Sequence, residues 1–147
     1  MKQRMSIDTA EPTIYKVMAQ ADKLINEFDL DPKTKELIKI RVSQINGCGY
    51  CINYHTKDAR KLGETEQRLY ALSAWWETPF FSEEEHLILK LSEEITKISN
   101  GGVSDKVFEQ ALKMFGEQKL AQLIFIIITI NSWNRLAIST HIVAEQD

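Results

Sequence analysis

The stretch Gly47-Cys48-Gly49-Tyr50-Cys51-Ile52-Asn53-Tyr54-His55 carries the residues best suited to chemistry in this chain. Cysteine reacts as the thiolate, and an ordinary pKa of about 8.5 leaves only a small ionised fraction at neutral pH. A helix N-terminus lowers that pKa, because its free amides and partial positive charge favour an anion. Cys48 stands where such a helix would begin. Cys51 and His55 are four positions apart, one helical turn, so the imidazole can hydrogen-bond the thiol or take its proton. An imidazole in that role needs a third group to orient it, as in the Ser-His-Asp triad. Glu36, on the preceding predicted helix, is the candidate.

The helical wheel supports this grouping. At about 100° per residue, Cys51 lies about 60° and His55 about 20° to one side of Cys48. Ile52, Ala59 and Leu62 fall on the same stripe, while Asn53, Lys57, Arg60 and Lys61 fall opposite. Both thiols and the imidazole therefore point inward. Other readings of the pair stay open at this level. Two small cysteines can be plain core residues. Cys48, Cys51 and His55 could also ligate zinc, but structural zinc sites normally take four ligands, and His86 and His141 belong to no motif. Covalent haem requires histidine directly after the second cysteine, where Ile52 stands. A thioredoxin-like site requires a strand before the pair, and none is predicted.

The elements that position these residues read as helices throughout. Pro12 opens one with apolar residues at Ile14, Val17, Met18, Ala21, Leu24 and Ile25. Asp31-Pro32 is an N-cap followed by proline at the first helical position, starting a helix that runs to Asn46-Gly47. A third helix spans Cys48 to Leu62-Gly63, and a short fourth covers Glu66 to Trp76, with Pro79 as breaker. Ser82 and Glu85 form a capping box for a fifth helix lasting to Asn100-Gly101-Gly102. Ser104 caps a sixth, ending near Phe115-Gly116, and a final long helix starts at Glu117. No alternating strand pattern is present. The expectation is an all-α fold of six to seven helices, one domain over residues 1–147 with its core motif at 36–55.

Composition narrows the function classes. With 147 residues the chain can bury a substantial core without disulfides. Eighteen Lys+Arg against 21 Asp+Glu give a net charge of -3, with no basic cluster to suggest a nucleic-acid partner. The N-terminal residues lack the apolar stretch of a secretory signal. The most apolar segment, Leu120 to Ile130, falls short of the ~20 residues that span a bilayer. No membrane association is expected. The expected compartment is the cytoplasm, where a close cysteine pair points to catalysis or metal binding.

Glu36, eleven intervening residues, then Cys48-x-x-Cys51-x-x-x-His55 resembles the active-site signature of the alkylhydroperoxidase D-like branch of the carboxymuconolactone decarboxylase family. Trp76 to Glu83 with the helix after it, and Asn131 to Ala137, resemble the family's later segments. The resemblance implies a homo-oligomer, commonly a trimer or hexamer. It also implies thiol-dependent reduction of hydroperoxides, with Cys48 and Cys51 as the redox pair and Glu36 and His55 as the proton relay. A thiol or disulfide-reductase donor resets the pair, and no cofactor or resident metal is called for. Within that reading Cys51, one turn from His55, is the favoured peroxidatic thiol, with the reverse assignment open. Under the favoured assignment Cys48, at the helix mouth, is the resolving thiol open to the reductant. Better-known members can carry histidine before the second cysteine, where this chain has Tyr50, a hydrogen-bond donor rather than a base at neutral pH. A lactone-decarboxylase lyase and a non-catalytic metal-binding or scaffold protein are the alternatives. Trp75, Trp76, Phe80 and Phe81 are expected in the core or an interface rather than a substrate pocket.

Overall fold

Side-chain caps set where the helices begin. In the computed structural model, which describes residues 2–146, Asp31 accepts the Thr34 amide at 2.8 Å and Pro32 occupies the first helical turn. Proline sits well there, because its missing N–H would have had no partner within the helix. Ser82 and Glu85 satisfy each other's backbone amides in the predicted capping box, and Ser104 accepts the Val107 amide. The order is α1 (Ile7–Ala10), α2 (Pro12–Glu27), α3 (Pro32–Asn46), α4 (Gly49–Lys61), α5 (Glu66–Ala71), a 3-10 segment (Leu72–Glu77), α6 (Glu83–Thr96) and α7 (Asp105–Thr140). Among the described residues there is no strand, so the fold is all-α as expected.

The break expected near Gly116 is present. Gly116 has φ 71° and ψ 169°, dividing α7 into a leg over 105–115 and a longer leg over 117–140. Three details differ from expectation. The short α1 precedes Pro12. The fourth helix loses α geometry after Ala71 and continues as 3-10 turns, with Ala74 at φ -132°, ψ 39°. The fifth ends at Thr96 rather than near Asn100, because Lys97 already leaves helical angles and the chain turns through Gly101 and Gly102 at positive φ.

Helix α3 is the axis of the molecule. It packs against α4, α6 and α7. Ile38 and Val42 meet Leu91 of α6 and Leu123, Ile126 and Ile127 of α7. On its other side Leu37 and Ile40 pack with Ala59, Leu72, Trp75 and Leu89. Each such aliphatic side chain stabilises the fold by roughly 1.5–3 kcal/mol. Because α3 is enclosed on several sides, its charged residues Lys35, Glu36 and Arg41 are buried too, and each of these is paired. Lys35 donates to the carbonyls of Asn26 and Phe28 at 3.3 and 2.7 Å, closing the C-terminus of α2. Arg41 reaches Glu93 at 2.7 Å, and the same carboxylate oxygen accepts the Trp75 indole N–H at 2.9 Å.

Helix α7 is long and apolar enough to cross a membrane by length and composition alone. Here its apolar stripe, Leu120, Leu123, Ile126, Ile127 and Ile130, is spent on the core. Trp75 and Phe81 are likewise core residues, whereas Trp76 is half exposed.

Candidate active site

The site begins at the turn between α3 and α4. Gly47 closes α3 in the left-handed region at φ 72°, where a Cβ is disfavoured. The Cys48 amide then donates back to the Ser43 carbonyl at 2.9 Å. A buried polar network fastens this turn to α7. Asn46 donates to the side-chain oxygens of Asn131 and Asn134, each at 2.9 Å, and Asn134 donates to Ser43 Oγ at 3.0 Å. Asn134 is fully buried, and Arg135 donates to the side chain and carbonyl of Asn131. Asn134 directly, and Arg135 through Asn131, thus help to hold the cysteine turn in place.

Cys48 is the N-cap of α4, its sulfur accepting the Cys51 amide at 3.4 Å. Cys48 and Cys51 are joined as a disulfide, with Cα atoms 5.4 Å apart, inside the usual range of about 4.4–6.8 Å. The expected openness of Cys48 is not found. Cys48 is 1% exposed and Cys51 3%, because the turn that makes Cys48 a cap also tucks its side chain against Ala137 of α7.

Glu36 and His55 meet across the α3–α4 interface, Oε2 to Nδ1 at 2.8 Å, and Lys39 bonds the other carboxylate oxygen at 2.8 Å. Burial pushes the Glu36 carboxyl up, but the His55 hydrogen bond and the Lys39 charge outweigh it and hold the group below the usual carboxylate value. Glu36 is therefore an anion at neutral pH. With Nδ1 engaged, Nε2 is the ring nitrogen left for proton transfer.

A cavity of about 310 Å³ opens onto these groups. Glu36, Tyr50, Cys51 and His55 lie on its wall together, while Cys48 does not. Tyr50 stacks on Tyr54 with ring centroids 6.3 Å apart. Its phenol is pushed up, first by burial and then by neighbouring Tyr15 and Tyr54, so it is a protonated donor at neutral pH. None of Trp75, Trp76, Phe80 and Phe81 reaches this wall.

The sequence reasoning missed part of the wall. Lys39 was legible as the i+3 neighbour of Glu36. Asp22 of α2 and Trp133 of α7, bonded Nε1 to Oδ2 at 2.8 Å, were not, since 111 residues separate them. The available hint was a carboxylate beside the apolar stripe, four residues after Met18 and three before Ile25. Among the described residues no group of three or more His, Cys, Asp or Glu is placed to hold a metal ion.

Comparison with known proteins identifies the family and the fold. Residues 12–94 match the model of the carboxymuconolactone decarboxylase family. The uncharacterized protein YdfG of Bacillus subtilis (strain 168) is 46% identical over 139 residues, covering 95% of each chain. A crystal structure from Agrobacterium tumefaciens, of a protein of unknown function described as a candidate antioxidant defence protein AhpD, superposes with a TM-score of 0.96 at 30% identity, covering 99% of this chain and all of that one. The alkylhydroperoxidase AhpD core of an uncharacterized peroxidase-related protein from Ralstonia eutropha JMP134 gives 0.81 at 17% identity, covering 95% of this chain and 74% of the other. That last likeness speaks for the fold alone.

Proposed function

Given that the chain belongs to the carboxymuconolactone decarboxylase family, we propose that it is a thiol peroxidase of the alkylhydroperoxidase D-like branch, reducing hydroperoxides with Cys51 and Cys48. The observation that carries this reading is that Cys51, His55 and Glu36 share the wall of one cavity, with Cys48 bonded directly behind Cys51.

In the reduced protein His55 Nε2 takes the Cys51 proton, and Glu36 at Nδ1 stabilises the imidazolium that forms. The thiolate attacks the nearer peroxide oxygen. The S–O bond forms, the O–O bond breaks, and the departing alkoxide takes the proton from His55 as an alcohol. Cys51 is then a sulfenic acid. The Cys48 thiol condenses with it, releasing water and leaving the disulfide. An external dithiol, or two thiols, returns two electrons and two protons to restore the pair. Tyr50 supplies a hydrogen bond to the bound peroxide.

A lyase reading leaves the cysteine pair without a role. A metal-binding scaffold finds its two sulfurs already bonded to each other. Assembly of copies into a trimer or hexamer belongs to the same proposal. It is supported by helix α2, which exposes Ile14, Val17 and Leu24, and light scattering measures it. A cytoplasmic setting follows from the need for a thiol donor.

The test is a titration of reduced protein with cumene hydroperoxide followed by intact mass. The reading predicts loss of two hydrogens and a Cys48–Cys51 peptide at one equivalent. Two free thiols after that treatment overturn it.

A further inference from the structure

The ionic groups of the cavity wall are not alike. Glu36 is paired with Lys39 and hydrogen-bonded to His55, each at 2.8 Å. Asp58 is paired with Lys61 at 2.8 Å. Asp22 is bonded only by the uncharged indole of Trp133, at 2.8 Å. Its second oxygen has no hydrogen-bond partner, and no cation lies within ion-pair distance of it, among the described residues. Trp133 is itself braced edge-on by Tyr15, with centroids 5.4 Å apart. Among the described residues Lys39 is the only lysine or arginine on the wall, against the three carboxylates Asp22, Glu36 and Asp58. The remaining surface is largely apolar, including Ile25, Ile126, Ile130 and Ile142. Burial pushes the Asp22 carboxyl up despite the Trp133 bond. A carboxylate is thus poorly solvated in this chamber, even one built into it.

We propose that Asp22 is a specificity-determining residue that turns away anionic substrates, so that the cavity accepts organic hydroperoxides lacking a carboxylate. The inference rests on the peroxidase reading above and deepens it. A substrate carboxylate entering the cavity meets the charge of Asp22, which no direct ion pair neutralises, with Lys39 already engaged by Glu36. An uncharged aryl or alkyl group meets isoleucine and aromatic surface instead. A volume near 310 Å³ suits a small molecule of that kind.

The experiment compares two isosteric probes, cumene hydroperoxide carrying a para-carboxamide and the same molecule carrying a para-carboxylate. Each is mixed with reduced protein, and formation of the Cys48–Cys51 disulfide is timed. The carboxamide is expected to react at least about tenfold faster, the factor that a charge penalty of this kind produces. In Asp22→Asn, which keeps an oxygen for the Trp133 indole, the ratio of the two rates falls several-fold toward unity, whatever the absolute rates. Equal rates in the natural protein overturn the selectivity, and a ratio unmoved by Asp22→Asn overturns the assignment to this residue. If neither probe oxidises the pair, the peroxidase reading fails and takes this inference with it. If both react equally, only the inference falls.

Discussion

Glu36 Oε2 lies 2.8 Å from His55 Nδ1, joining two residues nineteen positions apart on different helices. This contact selects the imidazole tautomer and leaves Nε2 as the nitrogen that can serve the thiol. It also explains why a carboxylate on the central helix is retained although 7% exposed. Removing either partner leaves the other as a buried polar group without its match, a cost of roughly 1–3 kcal/mol.

Glu36→Gln keeps the shape and removes the charge. Oxidation of the pair by hydroperoxide is expected to slow by about 10²-fold, at the low end for a positioned acid–base group. Stopped-flow tryptophan fluorescence or quenched mass analysis measures it. An unchanged rate removes Glu36 from the relay.

The two cysteines should behave differently when mutated singly. Cys48→Ser is expected to stop after one turnover with a sulfenic acid on Cys51, trapped by a 1,3-dione and located by peptide mass. Cys51→Ser is expected to give no such adduct at Cys48, which lies off the cavity wall. An adduct on Cys48 in that variant would reverse the roles.

Stability should respond to acid in a defined window. Glu36, Glu85 and Glu93 are each held below the ordinary value of 4.5, their hydrogen bonds and nearby cations outweighing burial. Groups depressed in the folded state stabilise it fully above the unfolded value, and that contribution is lost as pH falls through the folded values. Thermal unfolding should therefore be flat near neutrality and fall steeply below about pH 4.5. Asp22 has the opposite sign. Its value is raised, so its charge opposes folding at neutral pH. Asp22→Asn should raise Tm at pH 7 by about 1–3 °C, with the gain shrinking as pH falls.

Legibility in the sequence followed the range of the interaction. Asp31-Pro32, the Ser82–Glu85 box, Ser104 and Gly116 act within one helical turn, and each start or break they mark is where the sequence placed it. The Cys-x-x-Cys-x-x-x-His spacing is equally local, and with Glu36 it pointed to four of the residues that converge at the site. Three features needed the assembled fold. The Asp22–Trp133 bond joins helices far apart in the chain. The burial of Cys48 depends on Ala137 of α7. The 3-10 segment after Ala71 packs Leu72 and Trp75 into the core, a tertiary demand that overrides helix propensity.

Asn134→Ala should be costly for stability and reveal how the cysteine turn is held. The change strands Asn46 Nδ2 of one partner and Ser43 Oγ beside a small cavity, and a loss of about 2–4 kcal/mol is expected from urea unfolding. A loss below about 0.5 kcal/mol, the level of an ordinary surface substitution, would show that the network is not what fastens the turn.

Gly116→Ala tests the bend in α7. At φ 71° and ψ 169° the residue occupies a region open almost only to glycine, and alanine there costs about 1–3 kcal/mol. Space is not the issue, since a Cβ would meet nothing within 4 Å. Circular dichroism at rising urea should show a lower midpoint with native helicity at zero denaturant.

The cavity wall is contributed by residues from Tyr15 to Ile142, almost the whole length of the chain. During synthesis Cys48 and Cys51 leave the ribosome long before Trp133, Ala137 and Ile142 exist. The nascent pair therefore has its imidazole close by in sequence but no chamber around it. On the proposal above, discrimination among substrates would be the last property acquired, arriving only when the final helix docks.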